Sequence, residues 1–154
     1  MILRLATVDD VKVIFEWAND DDMRINSFES KSIEWEEHVI WYNNKLSSNN
    51  SIIFIAESEE HKNIGQIRFD KYLNYAKIDF YITKEFRSQG FGCEILTKGI
   101  GLAFSHWIDL EFVKGEVKKE NLASQKAFLK ASFSEQYKNE LFVYVKKNET
   151  INRQ

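Results

Sequence analysis

The chain has 154 residues, 44% hydrophobic and 29% charged, with a formal net charge of −3. That length supports one domain with a proper core, and the mild negative balance argues against nucleic acid, which requires a basic face. No apolar run approaches membrane-spanning length, Arg4 and Asp9 interrupt any signal peptide, and the single Cys93 excludes an internal disulfide.

The expected location is therefore the cytoplasm. The 12 Phe, 6 Tyr and 4 Trp read mostly as an aromatic core. Proline is absent, and no repeat, low-complexity segment or linker divides the chain. The expected organisation is one domain over residues 1–148 and a polar tail over 149–154.

In chain order, Ile2-Leu3-Arg4-Leu5 reads as a short strand. Thr7 is an N-cap, with Asp9 and Asp10 in the favourable first turn of a helix. Val11, Ile14, Phe15 and Ala18 give that helix one apolar face. It ends at Asn19-Asp20-Asp21-Asp22, which lacks the spaced ligands of a calcium loop and reads as a solvated turn, so no metal is expected. Met23 to Ser32 reads as a polar connector. Ser30 or Ser32 then caps a helix from Ile33 to about Lys45 that carries Trp35, His38, Trp41 and Tyr42.

Ile52–Glu57 and Asn63–Asp70 read as a hairpin, with Ile67 and Phe69 alternating against Gln66, Arg68 and Asp70. The next strand, Ala76–Thr83, leads through Lys84–Gly92 into a helix, Cys93–Trp107, and a further strand, Phe112–Val117. Two strands joined through a helix pair in parallel, so the sheet is antiparallel up to Ala76–Thr83 and parallel beyond it. Asn121 caps a helix over Leu122–Ala131, with Ala123, Ala127, Phe128 and Leu129 facing inward. Phe133–Tyr137 and Glu140–Val145 close the domain as a hairpin, and Lys146 onward reads as a frayed tail.

The turn between strand and helix carries the chemistry. Gly90 and Gly92 let backbone amides crowd around an anion, and the helix start adds unpaired N–H groups and a positive dipole end. Arg87 is placed to add a charge-assisted contact. Arg87, Ser88, Gln89, Gly90, Phe91 and Gly92 together read as a cradle for a pyrophosphate.

Arg87-Ser-Gln-Gly-Phe-Gly92 resembles the Arg/Gln-x-x-Gly-x-Gly/Ala loop of the GNAT superfamily of acyl-CoA-dependent N-acyltransferases. Val117-Lys-Lys-Glu-Asn-Leu-Ala-Ser-Gln-Lys-Ala-Phe128 resembles the strand, Asn-x-x-Ser, helix segment of the same family. The resemblance implies an α/β (α+β) fold: a mixed, mostly antiparallel sheet of six to seven strands with one central parallel pair, flanked by about four helices. It implies acetyl-CoA as co-substrate, with its pantetheine arm in the slot between the parallel strands. Phe80, Tyr81 and Ile82 would bind that arm through their backbone. Asn121 and Ser124 would contact it or set the mouth of the second strand, and Phe128 would complete the cofactor site.

The family reaction is direct attack of a primary amine on the thioester. Asp79, Glu116 and His38 are the candidate bases. The family's customary acid, a Tyr on the last helix, is Phe128 here, so Tyr81 or Tyr137 stands in for it, or water does. The customary Ala-Gly-Phe ending reads Ala131-Ser132-Phe133. The N-terminal third resembles members that acetylate nucleotide-linked amino-sugars of the pseudaminic-acid type. Trp17, Arg24, Trp41 and Arg68 would then bind the acceptor, the cations taking its diphosphate and the rings its base or sugar. The expected partners are that small-molecule amine and a second copy of the chain. A ribosomal-protein type N-terminal acetyltransferase, an antibiotic amine acetyltransferase and a non-catalytic acyl-CoA sensor are the alternatives.

Overall fold

The computed structural model describes residues 1–151. Its strands are β1 (Ile2–Leu5), β2 (Ser51–Glu57), β3 (Asn63–Tyr72), β4 (Tyr75–Ile82), β5 (Phe112–Lys118), β6 (Ser134–Lys138) and β7 (Leu141–Lys147). They form one sheet in the order β1-β2-β3-β4-β5-β7-β6. Every neighbouring pair is antiparallel except β4 and β5, which are parallel. The helices are α1 (Val11–Ala18), α2 (Asp21–Asn26), α3 (Trp35–Ser47), α4 (Phe91–His106) and α5 (Leu122–Lys130). Among the described residues no helix is long and apolar enough to cross a membrane.

Both faces of the sheet are covered, which is why β2 is apolar throughout rather than alternating. Ile52, Phe54, Ala56, Ile67 and Phe69 pack with Ile95 and Leu96 of α4. Ile53, Ile55 and Tyr81 pack on the opposite face with Ile14, Trp17 and Tyr42 of α1 and α3. Fully burying Ile67 and Phe69 stabilises by roughly 1.5–3 kcal/mol each. The β4 strand alternates between these layers, sending Ile78, Phe80 and Ile82 toward α4 and Tyr81 toward α1.

The local rules account for most element ends. Thr7 and Asp10 form a reciprocal capping box ahead of α1. Asn121 Oδ1 accepts the Ser124 amide at the start of α5. The end of α5 is a Schellman turn: Phe133 N–H donates to Phe128 O, Ser132 N–H donates to Leu129 O, and Ser132 takes φ +66°.

Four local expectations are corrected. The stretch read as a turn and connector contains α2, because Asp20 Oδ1 accepts the Asp22 and Met23 amides as an N-cap. The cap of α3 is Glu34, not Ser30 or Ser32, and its side chain makes no capping bond. Ala123 and Leu129 are exposed, so α5 turns only Ala127 and Phe128 inward. Strand β7 continues to Lys147, and buried Asn148 donates to Leu110 O while its amide donates to Glu111 O. Of the tail expected over 149–154, residues 152–154 lie outside the described residues.

Candidate active site

Strands β4 and β5 pair over only three positions, Tyr75 with Phe112, Ala76 with Val113 and Lys77 with Lys114. Beyond them β4 continues on β3 and β5 continues on β7, so a gap opens between the two. The Thr83 amide donates to Ile64 O on β3. Strand alternation then turns Tyr81 toward β3 and the amides of Phe80 and Ile82 toward the gap. A cavity of about 570 Å³ runs along it, lined by Phe80, Tyr81 and Ile82 on one side and Asn121 and Ser124 on the other.

The far end of this cavity is the Arg87–Gly92 loop. Ser88 at φ +62° and Gly90 at φ +84° alternate with ordinary residues, which curls successive amides into a nest. Gly90 is the N-cap of α4, so the Phe91, Gly92 and Cys93 amides are first-turn donors without helical partners. Ser88, Gly90, Phe91 and Gly92 line the cavity. Gln89 does not line it; its amide donates to Glu85 O at 3.2 Å. A Cβ on Gly92 would stand 3.1 Å from the Ala127 Cβ, so this glycine lets α5 approach α4 closely.

A second cavity of about 370 Å³ lies on the other side of β4, between the sheet and helices α1 to α3. Trp17, Arg24, His38, Trp41, Arg68, Asp79 and Tyr81 all line it, together with Met23, Glu37 and Gln66. Tyr81 and Met23 belong to both cavities, so the two meet there. Burial pushes the Tyr81 phenol up to about 12, and the nearby Asp20 carboxylate adds to the effect. The phenol therefore keeps its proton at neutral pH. Its ring lies 5.6 Å from that of Trp17.

The profile described as "Acetyltransferase (GNAT) domain" matches residues 1–134. The chain belongs to the GNAT acetyltransferase family. It is an acyltransferase by that membership. Among solved structures, a domain from Methanocaldococcus jannaschii superposes with TM-score 0.82 at 17% identity, covering 96% of this chain and 97% of that one. Spermidine N-acetyltransferase from Vibrio cholerae in complex with CoA and spermine gives TM-score 0.80 at 18% identity, covering 94% and 92%. Aminoglycoside acetyltransferase AAC(6')-Ib in complex with coenzyme A and kanamycin gives 0.80 at 16%, covering 99% and 97%. No curated protein sequence matches at significance.

Within this GNAT domain the expected residues divide into groups. Arg68 reaches Asp70 at 2.9 Å and Asp79 at 3.6 Å, and its guanidinium sits 5.0 Å over the Trp41 ring. Asp79 also accepts from Gln66 Nε2 at 3.1 Å. Arg24 donates to the carbonyls of Ala18, Glu29 and Lys31 and to Ser27 Oγ. Both arginines are thus engaged inside the protein. His38 is buried, and its Nε2 lies 2.8 Å from Val11 O. A carbonyl only accepts, so Nε2 carries the proton and Nδ1 is left as the basic nitrogen. Burial lowers the His38 pKa, against the Val11 bond, which keeps the ring neutral.

Three expected residues stand apart. Glu116 lines neither cavity; it pairs with Lys77 at 3.3 Å and Lys114 at 3.4 Å. Burial raises its pKa, but those two lysines outweigh burial and hold it below the ordinary carboxylate range. Phe128 is sealed under the cleft and does not line it. Arg87 reaches the cavity wall, but it donates to Ile82 O, Asp22 and Asp20.

Sequence reasoning missed Met23, Glu37 and Gln66. Gln66 was visible in principle, because it alternates with Ile67 and so shares a face with Arg68. Met23 and Glu37 carried no local signal. Among the described residues no group of three or more His, Cys, Asp or Glu gathers as a metal site.

Proposed function

We propose that this chain moves an acetyl group from acetyl-CoA to the primary amine of an amino-sugar, by direct attack in a ternary complex. The observation that carries the reading is the meeting of two cavities at Tyr81, one bordered by unpaired strand amides and a helix start, the other by aromatic rings and carboxylates. The first cavity fits an extended diamide arm ending in phosphates, because Phe80 and Ile82 have no β5 partner and the loop amides converge at its end.

When bound, acetyl-CoA supplies an acyl thioester whose carbon forms a C–N bond with the amine as its C–S bond breaks. A β4 amide at Phe80 or Ile82 is placed to polarise the carbonyl oxygen. Asp79 is placed to accept the proton released by the amine, directly or through one water. His38 Nδ1 is the second acceptor available in the same cavity. Tyr81, between the two cavities, is placed to return a proton to the departing sulfur. Holding both reactants in adjoining cavities supplies much of the acceleration.

Trp17, Trp41 and Tyr81 give flat apolar surfaces suited to a sugar ring. The finer expectation of a nucleotide carrier relies on Arg24 and Arg68 to hold a diphosphate. Both already have internal partners, so the geometry favours the amino-sugar and gives the diphosphate no open cation in this cavity. Glu37 lines the cavity without a hydrogen-bond or ion-pair partner among the described residues, which favours an acceptor bearing a second ammonium.

The test is a thiol-release screen with acetyl-CoA against kanamycin, glucosamine, a nucleotide-linked 4-amino-sugar and peptides with free N-termini. Turnover of a sugar amine above the peptides supports the reading. Preferred turnover of a peptide selects the protein N-terminal alternative, and coenzyme A binding with no turnover selects a sensor.

A further inference from the structure

The six-residue helix α2 crosses the region where the two cavities meet. Asp22, Met23 and Asn26 line the first cavity, and Met23 and Arg24 line the second. A helix this short does not hold itself in water, because nucleation is costly and few bonds repay it. It is tied at both ends instead. Lys118, at the end of β5, donates to Ile25 O at 3.3 Å. Arg87, in the loop before α4, reaches Asp22 at 2.7 Å and Asp20 at 3.4 Å. The Asp20 oxygen that takes Arg87 is the same one that caps α2. Arg87 Nε donates to Ile82 O at 2.9 Å, and its guanidinium stands 5.4 Å over the Tyr81 ring.

These partners occupy every donor-bearing nitrogen of the guanidinium. The arginine of the loop is therefore turned toward α2 and Tyr81, not toward the converging amides. Two other cations line the same cavity, Lys126 and Lys130 of α5, and neither has a side-chain partner among the described residues. They lie one helical turn apart on one face.

We propose a division of labour that rests on the acetyl-CoA reading: Arg87 positions α2 and Tyr81 as the shared wall of the two cavities, while Lys126 and Lys130 supply the charge that meets the cofactor's phosphates. Arg87 is then a positioning residue for the acceptor. The lysines are point charges on long stems, and their contribution is screened by salt.

The test is calorimetric titration of the whole chain with coenzyme A, together with amide exchange over residues 21–26. Arg87→Gln is expected to shift the coenzyme A Kd by less than about threefold, whereas Lys126→Gln with Lys130→Gln weakens it about tenfold or more at low salt. Gly90→Val, which forces a branched side chain to φ +84°, is the control that removes cofactor binding. Arg87→Gln and Asp22→Asn should each speed exchange over 21–26, and the double variant should exchange no faster than Arg87→Gln alone. With the amine selected by the screen above, Arg87→Gln should raise the acceptor KM and leave the acetyl-CoA KM in place.

A tenfold loss of coenzyme A affinity in Arg87→Gln, with the lysine pair silent, overturns the proposal. Unchanged exchange over 21–26 in Arg87→Gln overturns it as well, whether or not coenzyme A binds. Failure of the wild-type chain to bind coenzyme A instead sinks the acetyl-transfer reading, and the exchange data still decide whether Arg87 tethers α2.

Discussion

The phenyl ring of Phe128 lies parallel to the ring of Tyr144, with centroids 4.9 Å apart and planes 3° from coplanar. A third ring, Phe133, meets Phe128 edge-on at 4.9 Å. Gly115 on β5 lies directly against the Phe128 ring, so that even a methyl there would overlap it. The residue standing where relatives are expected to carry an acid is thus locked into the core, 2% exposed. Phe128→Tyr is expected to leave kcat unchanged, since the added hydroxyl meets β5 rather than the cleft. It should cost about 1–3 kcal/mol, as overpacking usually does. Thermal unfolding and steady-state rates check both halves.

Ser132 holds φ +66° at the end of α5, a conformation glycine adopts without penalty. Ser132→Gly should therefore stabilise the protein by about 0.5–1 kcal/mol. A rise in Tm with unchanged activity is the expected result. A fall would mean that the serine side chain makes a contact that outweighs its backbone cost.

Asp10 is buried and takes two hydrogen bonds from Arg4, both at 2.8 Å, and one from the Thr7 amide at 2.8 Å. The Arg4 bonds are the largest cause, and they hold the Asp10 pKa below the ordinary carboxylate value against the effect of burial. A carboxylate depressed in this way contributes stability above its unfolded pKa, about 3.9, and that stability is lost as pH falls through the folded value. Asp10→Asn should lose about 1.5–3 kcal/mol at pH 7 and show a flatter decline below about pH 4. Denaturant melts at pH 7, 4 and 3 check the sign.

Glu37 is the carboxylate of the second cavity, proposed above to take the acceptor, that has no internal partner among the described residues. Glu37→Gln should raise the KM for a diamino acceptor about three- to tenfold and leave the acetyl-CoA KM alone, the range expected for one exposed charge contact. Acceptors with a single amine should respond little. Equal effects on both acceptor types would remove Glu37 from recognition.

The turn at Arg87–Gly92 was legible in the sequence because its requirement is local. A strand must end, a helix must begin, and the backbone between them must take a conformation that glycine permits. Thr7, Asn121 and the alternation of Ile67 and Phe69 were legible for the same reason, since caps and strand periods act over a few residues. The acidic run Asp20–Asp22 reads locally as a solvated turn, whereas in the fold it opens α2. Its partner Arg87 is more than sixty residues away in the chain, and no local rule carries that distance.

The sequence by itself determined the order of the elements, the one parallel crossover and the loop whose amides converge at a helix start. Only the tertiary structure decided that β4 and β5 part after three pairs, that Trp17, Trp41, Arg68 and Asp79 share one cavity, and that Arg87 faces α2. The reason is that backbone conformation is set by near neighbours, whereas charge pairing and cavity shape depend on which distant side chains the packed sheet brings within a few ångströms.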